Sequence, residues 1–163
     1  MSLLSTLQRL ETTQLMRRLI LLLALIGIVA TVAELLLIGH SKSPVQWIPF
    51  LMLALAALSF GWVIVSPNAL SLRVLQIVMV IVALSSAIGV YEHFMGNLEF
   101  QHEIKPNLAG WPLIWRTLKG GVPLLAPGIL FQVGLLGLLY SFRHPDLKTA
   151  MAVSSRIMPR DAS

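Results

Sequence analysis

Of the chain's 163 residues, 56% are apolar and 12% charged, against about 25% charged in a soluble domain, so the composition excludes an ordinary water-soluble fold and points to a lipid bilayer. The net charge of +5 does not mark a nucleic-acid binder, because the basic residues stand singly between apolar runs instead of forming a patch with interleaved aromatics. Without a single cysteine, disulfides, thiolate metal sites and thiol chemistry are all excluded.

Residues 1–18 form a polar, basic lead ending in Arg17 and Arg18, and the next charge is Glu34. The run between them predicts a first span over 19–39. A cleavable signal peptide cut near Ala33 is the competing reading, but the apolar stretch through Ile38 is longer than the apolar region such signals carry. Residues 43–72 contain no charge, and 47–65 suffices for a second span, closed by the turn Ser66, Pro67, Asn68. Arg73 opens a third run, 74–94, which meets its first charge at Glu92 and His93. A fourth, 122–142, is closed by Arg143, His144 and Pro145. Pro127 should bend or break this last span and free a carbonyl, while Gln76 and Gln132 are candidate hydrogen-bonding residues between helices.

The connection between the third and fourth runs, 96–121, is too long for a plain connector. Leu108, Trp111, Trp115 and Leu118 recur in it at spacings of three and four, with Arg116, Thr117 and Lys119 at other positions. That pattern predicts a short helix lying in the headgroup plane, with Pro112 tolerated in its first turn. The chain is therefore read as an all-α membrane protein in one domain, 1–163. It is a four-transmembrane-helix bundle with an extracytoplasmic loop at 96–121, a short interfacial helix in that loop, and a tail at 143–163. Eight Lys and Arg on the side of the termini against four on the other place both termini in the cytosol, in a plasma or bacterial inner membrane.

Glu34, Glu92, Glu99 and Glu103, with His40, His93 and His102, gather at the end that points away from the cytosol. Gly27, Ala30 and Glu34, like Ser85, Gly89 and Glu92, follow one another at helical spacing, and small residues let helices approach closely. Each carboxylate is thus expected to point inward, where an intramembrane acid is a functional candidate. Glu99, His102 and Glu103 share one face if 97–104 is helical, and Glu-x-x-His is a spacing by which carboxylate-bridged dinuclear sites take two ligands from one helix. Glu34, Glu92, His93, Glu99, His102 and Glu103 are accordingly the candidate ligands of a divalent metal, Zn, Mn or Fe. A haem between His40 and His93 is the weaker alternative.

No nucleophile elbow, phosphate-cradling glycine loop or His-Glu-x-x-His sequence is present, so no enzyme class is indicated. The expected function is that of a non-enzymatic accessory or self-associating component of a membrane complex, its partners being the bilayer and a second copy or another membrane protein. The alternatives are a metal-binding or redox membrane protein with an outer-leaflet carboxylate and histidine site, and a small ion-coupled transporter that acts as an oligomer. The segments Tyr91-Glu92-His93-Phe94-Met95-Gly96-Asn97 and Leu125-Ala126-Pro127-Gly128 stand out as motifs without an assigned role.

Overall fold

The computed structural model describes residues 3–147, and the expected tail from residue 148 onward, with Lys148, Arg156 and Arg160, lies outside the described residues. Among the described residues all regular structure is helical: α1 Leu3–Leu37, α2 Ile48–Val65, α3 Ala69–Ile104, α4 Trp111–Leu118 and α5 Gly128–Ser141. A single 3₁₀ turn, Pro44–Trp47, leads into α2. Three segments, Glu11–Leu37, Pro44–Val65 and Ala69–Ile104, are long and apolar enough to cross a membrane, and α5 is a shorter apolar helix.

The helix ends follow from local chemistry. Gly39 closes α1 with a left-handed φ of 64°, while the His40 and Gly39 amides donate to the carbonyls of Leu35 (2.9 Å) and Leu36 (3.1 Å), the paired bonds of a glycine-terminated helix. Asn68 starts α3 through a reciprocal box: its Oδ1 accepts from the Leu70 and Ser71 amides at 2.9 and 3.0 Å, and Ser71 Oγ accepts from the Asn68 amide at 3.1 Å. α3 continues past the expected boundary at 94 to Ile104. No proline interrupts it before Pro106, and exposed Gly96 weakens a helix without stopping it. The polar turn expected at 97–104 is therefore the C-terminal end of α3 itself.

The fourth apolar run departs from expectation at its start. Pro123 and Pro127 have no amide hydrogen, so residues 123–127 form turns closed by bonds such as Ala126 N–H to Pro123 O (3.2 Å) and Gly128 N–H to Leu125 O (2.9 Å). The helix begins only after Pro127. Its 14 residues give a length of about 21 Å, short of a hydrocarbon core about 30 Å thick.

α5 nevertheless packs against α1, α2 and α3. It runs antiparallel to α3: Pro127 lies against Gly89, Gly134 against Met79 and Ala83, and Gly137 against Met79 and Phe60. A Cβ on Gly134 would stand 2.6 Å from the Met79 carbonyl oxygen, so the two backbones meet without side chains between them. The core is built from Ala24 and Ile28, Leu53, Ala56, Phe60 and Val63, Leu72, Leu75, Met79 and Val82, and Leu130 and Val133. The outer faces stay apolar, with Leu22, Leu23, Leu51, Leu58, Ile81, Leu84 and Phe131 exposed, as lipid contact requires. Buried Ser59, Ser85, Ser86 and Ser141 donate to carbonyls three residues earlier in their own helices, so these hydroxyls form no network between helices.

At the opposite end from the loop helix, the Arg17 guanidinium donates to the carbonyls of Tyr140 (2.8 Å) and Arg143 (3.1 Å). A cation thereby satisfies orphan carbonyls at the C-terminus of α5, which also favours positive charge there. His144, just beyond, is pushed below the usual histidine range by burial and then by Arg17, and these outweigh Asp146, whose Oδ2 lies 3.4 Å from Nδ1. The folded state therefore takes up protons on His144 less readily than the unfolded chain does, and acid favours unfolding. Thermal stability is expected to fall as pH drops below about 6.5. His144→Gln should flatten this part of the profile in a thermal melt series, and an unchanged slope would refute the assignment. His40 shifts in the same direction and should leave part of the slope in place.

Candidate functional site

The loop end of the molecule is organised by one face of α3. Gly89, His93 and Asn97 succeed each other at intervals of four and line up along the helix. All three meet the segment that leads into α5. The Pro127 ring occupies the space a side chain on residue 89 would need. His93 Nδ1 lies 2.8 Å from the Pro123 carbonyl oxygen, and since a carbonyl only accepts, Nδ1 carries the proton. Asn97 is 1% exposed and pairs through both ends of its amide with one residue: Nδ2 donates to Val122 O at 2.8 Å and Oδ1 accepts from Val122 N–H at 3.0 Å. Gly120 borders the same amide so closely that any Cβ there would overlap the Asn97 side chain.

α4 sits beside this clamp. Thr117 is buried, its hydroxyl donating to Leu113 O at 3.0 Å, and half-buried Leu113 lies one turn before it on the same side. Trp111, Ile114, Trp115 and Leu118 form a second stripe that faces outward, and all four are exposed. The two indoles stack at 6.3 Å, with Lys119 Nζ 4.5 Å from the Trp115 ring centre. A helix with Pro112 in its first turn is thus present at Trp111–Leu118, and its apolar stripe is exposed among the described residues.

The residues singled out in sequence fall into two groups. His93 is half-buried and engaged with Pro123, whereas Glu34, Glu92, Glu99, His102 and Glu103 are exposed. Glu99, His102 and Glu103 do lie on one helical stretch, at the C-terminal end of α3. The inward orientation expected for Glu34 and Glu92 is not met. Gly89 and His93 point at the α5 segment, so Glu92, one residue or 100° away, turns outward. On α1 the buried positions are Ala24 and Ile28, and a Cβ on Gly27 would stand 3.4 Å from Val133, while Ala30 and Glu34 lie on the open side. Burial and then the nearby His93 lower the pKa of half-buried His40, so these two histidines do share a neighbourhood. Among the described residues, no three His, Asp or Glu side chains converge as metal ligands.

The residue that sequence reasoning missed is Asn97. Its signal was available in the four-residue spacing Gly89, His93, Asn97 and in the glycines and prolines of 120–128, which need an external partner for their backbone. The two segments that stood out as motifs are in fact adjacent: one supplies the clamp, and the other begins just past what it holds. Neither a protein-family description, a curated protein nor a solved structure matches this chain, so its functional reading rests on the arrangement above.

Proposed function

We propose that the chain is a four-span membrane protein with both termini in the cytosol, acting as a non-enzymatic accessory or self-associating component of a complex in the plasma or bacterial inner membrane. The observation that carries this reading is the use of the polar residues at the outer end. His93 and Asn97 are spent on holding residues 122–123, and the carboxylates face outward without converging. Polar side chains engaged in this way favour a structural role for that end.

The four-span reading is supported by height. Pro123 lies beside His93, and Tyr140 and Arg143 lie beside Arg17, so turns plus α5 together cover the distance that α3 covers from about Arg73 to His93. That distance is about 30 Å, one hydrocarbon core. In this frame α4 lies at the outer interface, its exposed Trp111, Ile114, Trp115 and Leu118 dipping into the headgroup boundary.

The absence of native cysteines makes the topology directly testable. Ser41→Cys and Asn107→Cys should react with an impermeant maleimide added outside intact cells, and Ser66→Cys only after permeabilisation. The functional reading is tested by native electrophoresis of mildly solubilised membranes together with elemental analysis. The chain should run in a discrete complex above its own 17.9 kDa and carry no stoichiometric metal. A monomer throughout, or one metal per chain lost on Glu92→Gln with His102→Ala, would overturn it.

A further inference from the structure

We infer that the open face of α5 is a self-association surface centred on Gln132, and that its occupant is a second copy of this chain. The inference rests on the four-span topology proposed above. Gln132 lies two residues outward from Gly134, whose own height is fixed between Met79 and Ala83 on the antiparallel α3. Counting from Arg73 at the cytosolic boundary, this puts Gln132 about 15 Å into a core about 30 Å thick. Its side chain is exposed and has no hydrogen-bond partner among the described residues.

An unpaired amide facing hydrocarbon costs several kcal/mol, and a side chain this short cannot reach an interface about 15 Å away. Acyl chains offer neither donor nor acceptor. Flanking Gln132 on the same open side are Phe131, Leu135 and Leu139, each exposed, so the amide sits in an apolar surface suited to helix packing.

Symmetry selects the partner. Two copies inserted with the same topology form a closed, symmetric dimer only about a two-fold axis along the membrane normal, so residues near that axis meet residues of equal depth. A glutamine amide carries both donors and an acceptor and is its own complement. A second copy therefore brings the required group to the required height with no further condition on its sequence. A different protein would have to present a polar residue at the membrane midplane.

The test uses the full chain in native membranes. Leu135→Cys keeps Gln132 in place and puts a lone thiol one turn along the same face. With a mild oxidant it should give a disulfide-linked species at twice 17.9 kDa, whereas Leu58→Cys, exposed on α2, should not. The dissociation constant, measured in bilayers by energy transfer between labelled copies, should rise about five- to thirty-fold in Gln132→Leu, while Gln132→Asn stays near wild type. Gln132→Leu breaks no hydrogen bond among the described residues, and an unchanged thermal melt would show that an altered equilibrium does not reflect misfolding. Equal dissociation of wild type and Gln132→Leu, or no self-association of the wild type, would overturn the inference. Crosslinking of Leu135→Cys only to a species of another mass would sink the second copy yet leave the accessory role standing. A chain monomeric in every membrane assay would sink both.

Discussion

Asn97→Leu is expected to lower the unfolding free energy by about 2–4 kcal/mol, measured by denaturant titration in mild detergent. The side chain is fully enclosed and makes two bonds to a single residue, Val122, so leucine removes both and leaves an amide and a carbonyl unpaired. Leucine matches asparagine closely in size, which separates lost pairing from an empty cavity. Asn97→Asp should also destabilise, because a carboxylate cannot donate to the Val122 carbonyl. Asn107→Ala, in the exposed loop, serves as the control and should change little. Proteolysis at residues 119–127 should accelerate in Asn97→Leu well below the global transition, since the clamp is what holds that segment. If Asn97→Leu unfolds within about 0.5 kcal/mol of wild type, the outer end is not organised in this way.

The second large effect is a rank order among glycines of the last helix. Gly134→Val should be the most damaging, costing about 3 kcal/mol or more, because its first added carbon meets the Met79 carbonyl and the Ala83 amide, backbone atoms that cannot rotate aside. Gly137→Val should cost less, since the obstruction is the flexible Met79 side chain backed by the Phe60 ring. Gly128→Ala meets nothing within 4 Å and should be neutral or slightly stabilising through the unfolded chain. Thermal melts of the three variants check the order. A Gly134→Val protein no less stable than Gly128→Ala would contradict the close approach of α3 and α5.

The apolar helices, the loop helix with its two tryptophans and the turn at Ser66 to Asn68 were legible in the sequence because each rests on local rules: run length, periodicity and turn chemistry. The proline effect was legible only in part. Pro127 does interrupt the fourth run, but instead of kinking a long helix it starts a short one, since Pro123 disrupts the preceding turn as well. The inward carboxylates failed for a different reason. Small residues mark a face for packing, yet which face wins depends on where the opposing glycines lie, and Gly134 and Gly137 draw α5 onto Met79 and Ala83. That choice rotates Glu92 outward and His93 inward, and it is made between residues some fifty positions apart. Asn97 was hidden by a separation of 25 residues: only when Val122 is folded back against α3 does an unremarkable amide become the most heavily used polar group at its end of the molecule.

Because α5 follows α1, α2 and α3 in the chain and touches all three, the protein faces a problem of timing during synthesis. α1 leans chiefly on α5 and only slightly on α2, so the first segment to enter the membrane must wait for the last before it gains its main neighbour. Until then the nascent chain is an unfinished set of hydrophobic segments of the kind that membrane insertases shelter and quality-control proteases recognise. A chain stopped ahead of Gly128 thus leaves α1 without its main neighbour and is not a smaller version of the same bundle.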